Sequence, residues 1–386
     1  MVKLGELFKV TSGGTPSRRK PEFYEGGTIP WIKTGDLHNK NVTEASEYIT
    51  QDGLDGSSAR MYPKGTVLVA MYGATIGACS ILDIDACTNQ ACAAFTPNSE
   101  VDINFLYYLL KRNKSTFVKA GSGGAQPNIS ATFLKEFEIP LPPLDEQKRI
   151  AAILDKADAI RRKRQQAIDL ADDFLRSVFL DMFGDPVANP KGWEVKSLAS
   201  LCNKITDGTH HSPPIVESGV PYVTAKHLKK SGLEFHANPW FVSEDEHKKI
   251  YARCNPEPND VLYIKDGATT GLAAINEYNF EFSMLSSLAL LKPDFDLVTS
   301  EFLCMFLNHP RTKLVLTANM AGAAITRLTL AKIKDVKVPL PDLNTQQNFK
   351  EIYISVMEFL EKVKASEDLS DQEFNSLSQQ AFAGEL

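Results

Sequence analysis

The stretch Ile139-Pro140-Leu141-Pro142-Pro143-Leu144-Asp145-Glu146-Gln147 returns 199 positions later as Val338-Pro339-Leu340-Pro341-Asp342-Leu343-Asn344-Thr345-Gln346. Upstream, Gly73-Ala74-Thr75-Ile76-Gly77 returns as Gly267-Ala268-Thr269-Thr270-Gly271, Ile29-Pro30-Trp31 as Val220-Pro221-Tyr222, and Phe105-Leu106 as Phe302-Leu303. The order is kept and the offset drifts only between 191 and 199, as a duplication with loop insertions leaves behind. The chain of 386 residues therefore reads as two copies of one unit.

Each unit has two parts. The first carries short apolar runs, such as Thr66-Val67-Leu68-Val69-Ala70 and Asp260-Val261-Leu262-Tyr263-Ile264, bounded by Gly, Pro, Asn and Asp. That punctuation predicts short strands in an α+β domain, with a short helix at 103–113 and its copy at 299–308. The second part is helical. Asp145 and Asn344 are expected as N-caps, with Gln347 completing a capping box. Apolar or small residues then alternate at three and four: Ile150, Ile153, Ala157, Ile160, Ala167, Ala171, Phe174 and Val178 in the first copy, and Phe349, Ile352, Val356, Phe359, Val363, Ser366, Ser370 and Leu377 in the second. This is a coiled-coil seam, and each helix of roughly 35 residues would be about 50 Å long. Burying two equivalent seams against each other makes the pair antiparallel, with one head at each end. Tandem domains with solvent-exposed linker helices are the plainer alternative. The expected boundaries are 1–143 for the first head, 144–184 for the central helix, 185–342 for the second head and 343–386 for the C-terminal helix.

Composition limits function. There are 42 Lys and Arg against 48 Asp and Glu, and the stretch 344–386 alone holds three basic and eight acidic side chains, so most of the net charge of -6 lies there. The heads are close to neutral, which leaves room for basic patches. Six cysteines form no CxxC pair and read as reduced thiols, and neither a signal peptide nor a membrane span is indicated, so a cytoplasmic protein is expected.

Motifs for catalysis are missing from the sequence. The Gly73–Gly77 and Gly267–Gly271 segments lack the lysine and hydroxyl of a phosphate loop and read as strand-to-strand turns. His210-His211 is the best metal candidate, but it has no ligand partner at useful spacing, and the first copy has Pro16 and Ser17 there. No metal is expected. Asp185-Pro186 is followed by Val187-Ala188, so the aromatic motif with which amino-methyltransferases grip a flipped base is absent. An enzyme with an unrecognised motif remains the rival from another class.

With these features in place the sequence resembles the specificity subunits of type I restriction–modification systems. The resemblance rests on Pro140–Gln147 at the head of a long helix, Phe183-Gly184-Asp185-Pro186 at its end, and Leu377-Ser378-Gln379-Gln380-Ala381-Phe382-Ala383-Gly384-Glu385-Leu386 at the C-terminus. It spans the whole chain, although the second head opens on Gly192-Trp193-Glu194-Val195 and the first almost at once on Val2-Lys3-Leu4. It implies two target-recognition domains separated by a pair of long antiparallel coiled-coil helices. Each head would read one half of a bipartite, asymmetric site on double-stranded DNA. The helices would set the spacing and dock two modification subunits, joined by two restriction subunits where the system has them. The chain would be non-catalytic and hold no cofactor, with S-adenosylmethionine, ATP and Mg bound by the partners. The alternative is a coiled-coil adaptor or decoy that binds modification subunits without reading sequence.

Candidate DNA-contacting residues follow from where the copies diverge. In the first head these are Thr15, Ser17, Arg18, Arg19 and Lys20, then Lys33, Thr34 and Asp36. In the second they are Thr209, His210, His211, Lys226, His227 and Lys229. Gln126 and Asn128, with Arg327 opposite them in the repeat, precede the long helices. Arginine suits bidentate recognition of guanine, while lysine and histidine suit phosphate. The run Arg161-Arg162-Lys163-Arg164 is expected to pair with Glu358, Glu361, Glu367 and Asp368 of the C-terminal helix.

Overall fold

The computed structural model describes residues 1–121, 128–318 and 327–383, with backbone alone at 366–373, 375 and 383. The chain divides into two compact units, residues 1–165 with 365–386, and residues 166–364. Two helices, Leu144–Phe183 and Leu343–Ala383, each contribute one end to either unit. At 40 and 41 residues each is about 60 Å long at 1.5 Å per residue. No helix among the described residues is long and apolar enough to cross a membrane.

In the first unit one sheet runs Thr11–Ser12, Cys92–Phe95, Val67–Ala70, Cys79–Leu82 and Asn41–Val42. A second runs Tyr48–Ile49, Ile29–Ile32, Ala86–Thr88 and Met61–Tyr62. The second unit repeats the plan: Cys202–Asp207, Leu288–Pro293, Val261–Ile264 and Ala273–Ile275 form one sheet, and Phe241–Val242, Val220–Val223 and Ser283–Met284 the other. Even the sense of pairing is shared. Ile29–Ile32 is parallel to Ala86–Thr88, and Val220–Val223 is parallel to Ser283–Met284. The strand opening each unit pairs antiparallel with the one before the long helix: Val2–Lys3 with Glu138–Ile139, and Glu194–Ser197 with Lys337–Leu340.

The duplicated glycines sit in tight turns between neighbouring antiparallel strands. Gly77 N–H donates to Ala70 O at 2.9 Å and Gly271 N–H to Ile264 O at 2.8 Å. Gly73 and Gly267 have φ of 67° and 104°, a region that favours glycine. A different requirement holds at Gly13 and Gly208, where a Cβ would lie 1.8 Å from Thr88 O and 2.0 Å from Met284 O. The crossing of the two sheets leaves no room for a side chain at that place in either unit.

Each long helix is rooted in its unit by one buried glutamine. Gln147 Oε1 accepts from Asp102 N–H at 2.9 Å, and its amide donates to Glu100 O at 3.0 Å and Pro142 O at 2.9 Å. Gln346 makes the same three bonds, from Thr299 N–H at 3.0 Å and to Leu297 O and Pro341 O at 3.1 and 2.9 Å. Each latch joins a long helix to the start of a short one, Ile103–Arg112 or Ser300–Asn308.

Two details of the helices differ from the sequence reading. The helices begin one residue before Asp145 and Asn344, which fall in the first turn; Asp342 is the cap, accepting from Thr345 N–H at 2.9 Å. The buried stripe of the central helix is also rotated by about one position. It follows Gln147, Ile150, Ala151, Leu154, Asp158, Ala171, Leu175 and Phe179, while Ile160 and Phe174 are about half exposed. In the second helix Phe359 is likewise exposed. The stripe contains polar residues that have partners, which a seam drawn through apolar positions alone skips. Asp158 is buried between Lys111 Nζ and Arg162 Nε, each at 3.2 Å.

Within the first unit, Phe105 and Tyr108 of the short helix pack on Phe382 and Phe374 of the C-terminal helix, with ring centroids 5.3 and 6.1 Å apart. The second unit packs Phe302 against Phe179 and Phe183 of the central helix, and Phe183 against Phe349. Of the basic run, Arg162 pairs with Asp158 on its own helix, and Arg161 lies over the Phe374 ring, 5.2 Å from its centroid. The expected partners Glu367 and Asp368 lie outside the described side chains.

Candidate nucleic-acid interface

The candidate residues sit on loops that leave the two sheets of each unit, over one backbone framework used twice. Trp31 N–H donates to Glu47 O at 3.0 Å, and Tyr222 N–H donates to Trp240 O at 2.8 Å. Gly14 N–H reaches Thr88 O at 2.9 Å, as Thr209 N–H reaches Met284 O at 2.8 Å. Tyr72 bridges to Asn128, and Asp266 to Arg327. The side chains on this common frame differ almost completely.

In the first unit the loops converge on Glu47. The Arg18 guanidinium donates through both terminal nitrogens to its carboxylate, one bond measuring 2.8 Å, and Lys33 Nζ donates at 2.9 Å. The Arg18 hydrogen bonds, joined by Lys33 and working against desolvation, pull Glu47 down to about 2. The Arg18 guanidinium also lies 4.3 Å from the Tyr24 ring centroid and 5.2 Å from that of Trp31. Tyr24 OH donates to Pro16 O at 2.6 Å and Trp31 Nε1 to Gly14 O at 3.0 Å, which pins the loop to the sheet. Thr15 bonds Gln90, and Lys20 Nζ lies 4.7 Å from the Phe23 ring centroid. Asp36 Oδ2 accepts from Lys33 N–H at 2.8 Å and closes the short turn through Thr34. Ser17 and Arg19 are exposed at the loop tip. Gln126 lies outside the described residues.

In the second unit the charges are arranged differently. Asp207 is buried and faces Arg253, His210 Nε2 at 3.3 Å and Lys265 Nζ at 3.5 Å. His211 Nε2 is 2.9 Å from Glu246 Oε2, and its Nδ1 is 2.7 Å from Thr209 Oγ1. The paired histidines thus face different carboxylates. Lys226 Nζ sits 4.4 Å from the ring centroid of Trp240, the residue in the place of Glu47. Lys229 is exposed.

His227 departs from its expected role. It is 1% exposed, its Nδ1 accepts from Thr224 N–H at 2.9 Å and its Nε2 meets Asn238 O at 2.9 Å, so neither ring nitrogen is left for DNA. Burial holds it below the usual imidazole range, neutral and structural. Thr209 is also buried.

Asn128 and Arg327 are exposed at matching places, each bridged to the second residue beyond a central strand. Sequence reasoning did not find Glu47, Asp207, Glu246, Trp240, Lys265 or Asp266. Glu47 and Trp240 share a backbone position, but only the strand register brings them into correspondence.

Residues 1–170 and 190–366 match the family model described as type I restriction modification DNA specificity domain. The chain is 27% identical over 374 residues to the type I restriction enzyme MjaIX specificity subunit of Methanocaldococcus jannaschii, covering 90% of this chain and 84% of that one. It is 32% identical over 162 residues to the EcoR124I/EcoR124II specificity subunit of Escherichia coli, covering 41% and 40% of the two chains. In fold it is similar to the crystal structure of a type I restriction–modification S subunit from M. genitalium, with a TM-score of 0.62 at 18% identity, over 98% of this chain and 95% of that one.

Proposed function

This chain belongs to the type I restriction–modification DNA specificity family, and on that premise we propose that its two units read the two halves of one split, asymmetric DNA target. The observation that carries this reading is the constancy of the frame beside the divergence of the loops. Glu47 with Arg18 and Lys33 in one unit, and Trp240 with Lys226 in the other, stand on equivalent backbone. Two half-sites of different sequence call for such heads.

The long helices carry the second part of the function: they set the distance between half-sites and dock two modification subunits, joined by restriction subunits where the system has them. Each helix is latched to a head by a buried glutamine rather than joined by a loose linker, which supports a defined spacing. The chain itself performs no chemistry. S-adenosylmethionine, ATP and Mg belong to the partner subunits in this reading.

The test is a methylome. The full chain is co-expressed with its cognate modification subunit in a host free of adenine methylation, and methylated adenines are mapped. One split motif that appears only when this chain is present is the expected result. A stable complex without a motif overturns it in favour of an adaptor or decoy.

A further inference from the structure

We infer that Arg327, oriented by Asp266, reads a guanine in the half-site of the second unit, and that Asn128, beside Tyr72, reads an adenine at the equivalent place in the other half-site; the inference rests on the function proposed above. The two pairs occupy one location in the repeat. Tyr72 bridges to Asn128 and Asp266 to Arg327, each pair antiparallel. The residues behind them repeat the same bonds: Ile129 N–H donates to Met71 O at 2.9 Å, and Leu328 N–H to Lys265 O at 2.8 Å. Ile129, Leu328, Met71 and Lys265 are all buried. The reading side chains therefore stand on packed backbone, the condition for a preorganised contact. Immediately beyond them Gly73 and Gly267 leave open space where a Cβ would be, so the turn crowds nothing that approaches.

The chemistry on this platform is opposite in the two units. In the second, Lys265 is buried with Nζ 3.2 Å from Asp266 Oδ2, which holds the carboxylate in place. Asp266 Oδ1 lies 3.2 Å from Arg327 Nε, as an ion pair without hydrogen-bond geometry. Asp266 thus engages Arg327 along its Nε edge. The two terminal nitrogens have no protein partner among the described residues, and the side chain is 57% exposed. Those nitrogens form the fork that matches guanine O6 and N7. Arg18 makes the contrast: both of its terminal nitrogens are taken by Glu47, so its fork is spent inside the protein. In the first unit the same place holds a neutral amide beside an aromatic ring. An amide oxygen accepts from adenine N6–H while its NH2 donates to N7. Tyr72 is 44% exposed, free to lie against the neighbouring base or sugar.

The methylome experiment, repeated with variants of the full chain and its modification subunit, tests the assignment. Arg327→Gln is expected to relax one guanine position of one half-site by about 10- to 100-fold, leaving the other half intact. Arg327→Lys keeps the charge but not the fork and is expected to relax the same position; at a residue this exposed it leaves the fold unchanged. Asp266→Asn, a positioning change, relaxes that position less. Asn128→Ala relaxes an adenine in the opposite half-site. The assignment is overturned if Arg327→Lys preserves the whole motif, if Arg327→Gln lowers methylation equally at every sequence as loss of a phosphate contact would, or if no position changes. A wild-type chain that yields no split motif overturns the parent function, and this assignment with it.

Discussion

The root and the tip of each unit follow opposite rules. At the root, Gln147 and Gln346 make the same three bonds to equivalent backbone groups, and both are fully buried. At the tip the backbone is again the same, yet Arg18, Lys33 and Glu47 in one unit face Lys226 and Trp240 in the other. A buried amide that satisfies three backbone groups has no substitute of equal shape and bonding. A solvated loop over a fixed frame accepts any side chain that keeps the turn. The difference separates what holds the molecule together from what it reads.

Between root and tip lies a position where the two units disagree inside the core, and there the largest effect is expected. Asp207 and Lys265 of the second unit are both buried and paired, where the first unit has Ser12 and Met71. Lys265→Met alone removes the buried cation shared by Asp207 and Asp266, leaving Asp207 to Arg253 and His210, and should cost about 3 kcal/mol, the low end for a broken buried pair, seen in chemical denaturation. Adding Asp207→Ser brings in the first unit's pair and should recover part of that loss. A double variant no more stable than the single one breaks the equivalence of the two frames.

The latches come next. Gln346→Ala removes three bonds and leaves Thr299 N–H without its acceptor, at about 3 kcal/mol. Gln147→Ala should cost a similar amount in the first unit. A large difference between the two in thermal unfolding would show that the roots are less alike than their geometry.

A smaller and more local effect concerns acid. The folded-state pKa of Glu47 is lowered from 4.5 to about 2, so its contribution is full above the unfolded value and is lost as pH falls through about 2. Glu47→Gln should flatten this part of the stability profile between pH 4.5 and 2, followed by circular dichroism. Nothing comparable is expected from Trp240→Ala in the second unit.

The smallest effect is chemical. Burial pushes Cys79, Cys87, Cys92, Cys254 and Cys304 up to about 12. These thiols should stay unmodified by a thiol reagent at pH 8 until the chain unfolds, in both units alike. Fast labelling confined to one unit would mark it as the looser of the two.

The duplication, the α+β heads and the two long helices are legible in the residues alone. Repeats, turn glycines and helical periodicity are local signals carried by a few residues each. The Pro-Leu-Pro stretch even contained both latch glutamines, although capping logic drew attention to Asp145 and Asn344 instead. Whatever depends on partners distant in the chain was set by the fold. Only the fold shows that Asp158 belongs to the buried stripe, because Lys111 arrives from another helix to pair with it. Only strand register places Glu47 where Trp240 stands, buries His227 with both nitrogens used, and, among the described residues, leaves the fork of Arg327 open while closing that of Arg18. A side chain's type is written in the chain, but whether its hydrogen-bonding groups remain available is set by neighbours that the sequence does not place beside it.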